Sequence, residues 1–232
     1  YIVQVLGSQR NTKTIMTSSH SGDMLSNVMN YLAGMLALIE DQDWAKIEEV
    51  ALTNPTSFKA LSQSISECQE FNGMSLLHAC VRYNPPPGLL REMIKLYPLA
   101  LRAEDCLGRT PLHVAAGSGA SQTVMKLLTV NYPQACTIQD EDGRTPLHFA
   151  CDTTCEMFED DGCNSEPRGP PDYETIRILL SGSLDAVTLE DVDEMNAVEY
   201  AIVSDADVKV VTLLQKATQR VMKRNNIGNP AN

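Results

Sequence analysis

One segment recurs along this chain at a fixed spacing. Asn72-Gly-Met-Ser-Leu-Leu-His78-Ala, Leu107-Gly-Arg-Thr-Pro-Leu-His113-Val and Asp142-Gly-Arg-Thr-Pro-Leu-His148-Phe are versions of it, and their histidines stand 35 residues apart. Tyr97-Pro98 and Tyr132-Pro133 keep the same 35-residue step further downstream. A period of this size predicts stacked supersecondary units, none of which can bury its apolar face alone. Aromatic residues make up only 5% of the chain, so the core falls to Leu, Ile, Val, Ala and Met, which suits thin layers of closely packed helices.

Each copy reads as a turn feeding a helix. Asp-x-Gly is a turn, Thr110 or Thr145 N-caps the helix, and Pro111 or Pro146 occupies its first position, where a missing N–H costs nothing. Gly117 to Gly119 then breaks the chain, and Val124, Leu127 and Leu128 at helical spacing predict a second, antiparallel helix. The pattern resembles the ankyrin repeat, with its period of about 33 residues and Thr-Pro-Leu-His signature, and the second and third copies match the signature in full. The resemblance implies an all-α solenoid of stacked helix pairs joined by β-turn or hairpin loops, with degenerate capping repeats. It also implies that His78, His113 and His148, with Thr110, Pro111, Thr145 and Pro146, are structural, the histidines bonding turn backbone and neighbouring repeats.

Weaker copies flank the clear ones. Asp193-Glu-Met-Asn-Ala-Val-Glu199 aligns with the motif, Glu194 replacing Gly, Asn196 Thr, Ala197 Pro and Glu199 His. The expected organisation is an arm over 1–22, a degenerate first repeat with a loop insertion over 23–71, repeats over 72–103 and 104–138, a repeat over 139–189 with an acidic insertion at about 153–173, a degenerate capping repeat over 190–224, and a tail over 225–232. In the fold it resembles, the acidic insertion lies at the opposite end of the helices from the turns. The sequence starts at Tyr1 rather than Met, and the expectation is that an upstream segment precedes it.

Three evenly spaced histidines invite a metal-site reading, but stacked helices lie about 8 to 10 Å apart. Zinc ligands bonded at roughly 2 Å must lie within about 4 Å of one another, so one ion cannot bridge them. Cys151, Cys155 and Cys163 beside the acidic insertion match no zinc spacing, and Cys151 stands at the position of the small residue Ala116. No phosphate-binding Gly-rich loop or nucleophile elbow is present. The expectation is no catalytic residue, no metal and no cofactor.

The function expected is a non-catalytic protein–protein interaction module, a scaffold, adaptor or peripheral subunit, binding through the concave face and the turn tips. Candidate partner-binding residues are Glu104, Asp105, Arg109, Asp140, Glu141, Asp142, Arg144, Asp191 and Asp193. A formal net charge of −12 points to a basic or neutral protein surface and away from nucleic acid, and the sequence holds no run apolar enough for membrane insertion. Two alternatives stay open: a metal-binding or redox-sensing domain built on the cysteine-bearing insertion, and a regulatory segment of a longer enzyme. An odd seven cysteines that do not recur at repeat positions point to an intracellular, reducing compartment.

Overall fold

The computed structural model describes residues 31–59, 62, 73–154 and 169–228. The expected arm over 1–22, Cys68, and the greater part of both insertions, including Cys155, Cys163, Glu156, Glu159, Asp160, Asp161 and Glu166, lie outside the described residues.

Two helices joined by a tight turn open the described chain: α1 (31–40), and α2 (Trp44–Thr53), whose N-cap Asp43 accepts from the Lys46 N–H at 3.3 Å. A short helix, α3 (55–59), follows and buries Phe58. From there the chain alternates between inner helices, α4 (Leu76–Arg82), α6 (Pro111–Gly117), α8 (Pro146–Cys151) and α10 (Ala197–Val203), and outer helices, α5 (Pro87–Leu96), α7 (Gln122–Asn131), α9 (Tyr173–Gly182) and α11 (Val208–Gly228). Each inner helix packs on the next inner helix and each outer on the next outer, which gives two layers around one continuous core. A 3-10 turn follows three of the outer helices, at Pro98–Arg102, Pro133–Thr137 and Asp185–Thr188; the first two begin at the recurring Tyr-Pro. The chain is the all-α solenoid the repeat implied.

The outer helices keep one register. Leu89, Leu90, Met93 and Ile94 are buried on α5, Val124, Met125, Leu128 and Thr129 on α7, and Ile176, Leu179 and Leu180 on α9. Pairs of apolar residues four apart give each helix one buried stripe. Gly182, at the end of α9, packs tightly on the preceding repeat: a Cβ there would stand 2.5 Å from Cys136 Sγ and 2.6 Å from Thr129 Cγ2.

The last helix departs from the others. Its 21 residues compare with 10 in α5, α7 and α9, and it runs to Gly228 rather than stopping at 224, so residues 225–228 of the expected tail are helical. Val210, Leu214, Ala217 and Val221 are buried along it, and it packs on α9, α10 and the turn Asp185–Thr188. Arg224 near its end pairs with Asp185. Among the described residues no helix is long and apolar enough to cross a membrane.

Candidate protein-binding surface

The surface begins with how each inner helix starts. Ser75, Thr110, Thr145 and Asn196 are N-caps in extended backbone, each in a reciprocal capping box with the third helical residue: His78, His113, His148 and Glu199. The Thr110 N–H donates to His113 Nδ1 at 3.0 Å, as Ser75 does to His78 at 3.0 Å and Thr145 to His148 at 2.9 Å. An Nδ1 that accepts leaves the ring proton on Nε2, which is free to donate.

That second nitrogen joins repeats. His78 Nε2 donates to the Arg109 carbonyl at 2.9 Å, and His113 Nε2 to the Ile138 and Arg144 carbonyls at 3.1 and 3.2 Å. His148 is equally buried, but its Nε2 has no hydrogen-bond partner; the ring instead meets Tyr200 edge-on at 5.7 Å. Burial pushes His78 and His113 down to about 4 and lowers His148 as well, so all three are neutral at pH 7. In the last repeat Glu199 Oε2 accepts the Asn196 N–H at 2.8 Å, which keeps the cap. Among the described residues no hairpin follows α10, so a ring with a second nitrogen has nothing to reach there.

Hairpin tips precede α6, α8 and α10 and stack. The Asp105 N–H donates to the Arg109 carbonyl, Asp140 to Arg144 and Asp191 to Met195, all at 2.9 to 3.0 Å, closing each tip. Tips are stitched to one another by Glu141 N–H to the Leu107 carbonyl and Val192 N–H to the Asp142 carbonyl, each 2.9 Å, and by Gln139 Nε2 to the Glu190 carbonyl at 2.9 Å. Gly143 has φ +77, and a Cβ on it would lie 3.0 Å from the Asp191 Cα, so both dihedral and space demand glycine. Glu194 takes the same left-handed conformation, φ 61, with its side chain exposed.

The structure separates the nine candidate residues. Glu104, Glu141, Asp142 and Asp193 are exposed along the tips, joined by Glu190 and Glu194. Asp105 and Asp191 are buried, which corrects the expectation that they offer free rim charge. Asp105 Oδ1 accepts from the Leu107 and Arg109 N–H groups at 3.0 and 2.9 Å, and Oδ2 pairs with the Arg109 guanidinium at 2.7 Å. Asp191 Oδ1 accepts from Asp193 and Met195 at 3.0 Å each, and Oδ2 from the Tyr200 hydroxyl at 2.5 Å. Burial alone would raise Asp191, but these donors, Tyr200 first, hold its carboxyl below the usual range. Asp140, half-buried, makes the same pair of backbone bonds, to Asp142 at 3.1 Å and Arg144 at 2.8 Å; burial still carries it above the ordinary carboxylate range.

Arg109 and Arg144 also turn inward. Arg109 is spent on Asp105. Arg144 lies 3.6 Å from Asp152 and 3.9 Å from Asp191, its guanidinium 5.9 Å from the Phe149 ring and 5.5 Å from the Tyr200 ring, so it ties the third repeat to the fourth. With both cations withdrawn, the outer edge carries carboxylates. Two apolar tip residues that the charge reading passed over, Leu107 and Val192, are 44% and 67% exposed. The signal was available in the repeats: Asp105, Asp140 and Asp191 occupy one repeat position, as do Arg109 and Arg144, whereas Cys106, Glu141 and Val192 differ at theirs. Positions that stay the same hold the tip; those that vary face outward.

Among the described residues no group of three or more His, Cys, Asp or Glu side chains could hold a metal ion. Cys80, Cys136 and Cys151 are buried, and burial raises all three thiols, Cys136 to about 11, away from the thiolate that metal or redox chemistry needs.

Turn, reciprocal cap and antiparallel helix pair, repeated in register with bonds from tip to tip, define a helical repeat solenoid. Residues 77–160 match the family model for ankyrin repeats in three copies, and the central stack is therefore built of ankyrin repeats. The comparison with curated proteins gave no match.

Proposed function

We propose that this chain, whose ankyrin repeats belong to a class of modules that generally bind proteins, captures a protein with a basic surface on the outer edge of its hairpin tips and the adjoining concave face, as a scaffold, adaptor or peripheral subunit. The observation that carries the reading is the exposed row Glu104, Glu141, Asp142, Glu190, Asp193 and Glu194, from which Arg109 and Arg144 are withdrawn into the stack. Leu107 and Val192 add apolar contact between the charges. Backbone bonds from tip to tip hold the row in place before binding, so little ordering entropy is lost on association. The concentrated negative charge raises the encounter rate with a cationic surface.

Because the row consists of carboxylates, a carboxyl-reactive cross-linker applied to native extract, read by mass spectrometry, tests the proposal. The expected result is cross-links from Glu104, Glu141, Asp142 or Asp193 to one recurrent protein. Cross-links to other proteins that arise only from the outer helices would refute it.

A further inference from the structure

Basic residues do two different jobs at repeated positions of this stack. Arg109 and Arg144 share one position and are drawn in against Asp105, Asp152 and Asp191. Arg91, Lys126 and Arg177 share another: each is the fifth residue of its outer helix, α5, α7 or α9, and all three are exposed. Lys95 and Lys216, also exposed, share a third, the ninth residue of α5 and α11. At about 100° per residue these positions face away from the core. On α5, for example, Leu89, Leu90, Met93 and Ile94 turn inward while Arg91 and Lys95 turn to solvent.

Unlike Arg109 and Arg144, these side chains tie no repeat to the next. No described carboxylate pairs with Arg91 or Lys126. Lys95 and Arg177 meet only Glu92 at 3.4 Å and Glu174 at 2.7 Å, three residues away on their own helices, in exposed pairs that contribute little to stability. Neither α7 nor α11 bears a carboxylate, although the chain as a whole carries −12. On α11, Lys209, Arg220 and Lys223 lie with Lys216 on the side turned from the buried Val210, Leu214 and Val221. At the other end α2, which packs on α5, exposes Glu48 and Glu49, so the basic band begins at α5.

We propose that the outer face of α5, α7 and α9 is a second binding surface, separate from the hairpin tips and opposite to them in sign, and that it takes an acidic peptide segment of a partner protein. Outer helices about 8 to 10 Å apart place one cation per repeat at that pitch. A peptide in polyproline II conformation has three residues per turn and rises about 3.1 Å per residue, so acidic side chains at every third residue recur on one side about 9 Å apart. Laid across the helices, it sets one carboxylate on each of Arg91, Lys126 and Arg177. Val130, one turn beyond Lys126 and 69% exposed, adds an apolar contact at the centre. A nucleic acid or an anionic bilayer presents its charge to the whole molecule and meets the net −12. A short peptide meets the band alone, because charges more than about 8–10 Å away are screened at physiological salt.

Fluorescence anisotropy of the full chain tests this, with a labelled peptide of repeated Glu-Pro-Ala units as the probe. The expected result is saturable binding at low salt that weakens as salt is raised. Arg91→Glu with Lys126→Glu is expected to weaken it about fivefold or more without changing the circular dichroism spectrum, since both positions are exposed. Lys46→Glu with Lys59→Glu changes the net charge equally at exposed lysines off the band and is expected to leave binding close to wild type. No binding of the peptide at low salt, equal losses in the two double variants, or tighter Lys126-dependent binding of single-stranded DNA or of phosphatidylserine vesicles would each overturn the proposal.

Discussion

Gly143→Ala isolates what holds one repeat against the next. At φ +77 an alanine carries a left-handed penalty of about 1–2 kcal/mol. The stiffer unfolded chain offsets part of this, returning about 0.4–1 kcal/mol. Conformation alone therefore costs about 1 kcal/mol. The new methyl would also sit 3.0 Å from Asp191 Cα and 3.2 Å from the Asp191 carbonyl carbon, both backbone atoms that cannot swing aside. Separating those tips strains the Val192 N–H to Asp142 carbonyl bond of 2.9 Å, and weakening that hydrogen bond costs roughly another 1 kcal/mol. A total near 2 kcal/mol is expected in urea titration. Gly108→Ala is the matched control: its φ is +73, but its Cβ would stand 3.4 Å from the nearest atom, so only the conformational share should appear. Equal losses for the two variants, or a loss below about 0.5 kcal/mol for Gly143→Ala, would refute the close-approach account.

Leu112, 2% exposed in the middle of the inner layer, should lose about 2–5 kcal/mol on replacement by Ala in the same titration, whereas the exposed Leu107→Ala should stay within about 0.5 kcal/mol. The buried histidines set an acid limit: with folded values near 4 below an unfolded value near 6.5, their contribution is complete above pH 6.5. It is lost as pH falls toward 4, at about 1.4 kcal/mol per pH unit for each of His78 and His113, measurable as a drop in denaturation midpoint across that window. Asp105→Lys places a long cation where two backbone N–H groups and Arg109 converge, and should lower the melting temperature by several degrees. Asp142→Lys on the exposed edge should leave it nearly unchanged in the same thermal scan.

Helix starts were legible in the sequence because particular residues do particular jobs there: Thr110-Pro111 and Thr145-Pro146 are cap and first turn whatever surrounds them. Gly143 was legible for the same reason, since a left-handed tip selects it. The division of the acids was not. Asp105 and Asp142 look alike as turn residues, and only the folded hairpin shows one accepting two backbone N–H groups while the other points to solvent. Arg109 and Arg144 were misjudged likewise, because their partners Asp105, Asp152 and Asp191 acquire meaning only when the tips close and the repeats stack. The length of α11 escaped as well: its last turns are polar, and what supports them is Val221 against the core and Arg224 reaching Asp185.

Association kinetics of the captured partner test the account most directly. With the partner immobilised, the wild type is compared with a chain carrying Glu104→Lys, Glu141→Lys, Asp142→Lys and Asp193→Lys, and with one lacking residues 153–171. The expected result is an association rate at least tenfold lower for the charge-reversed chain at low ionic strength, a smaller difference as salt is raised, and near wild-type binding after the deletion. Unchanged association for the reversed chain, together with lost capture after the deletion, would contradict the account and place recognition at the other end of the helices.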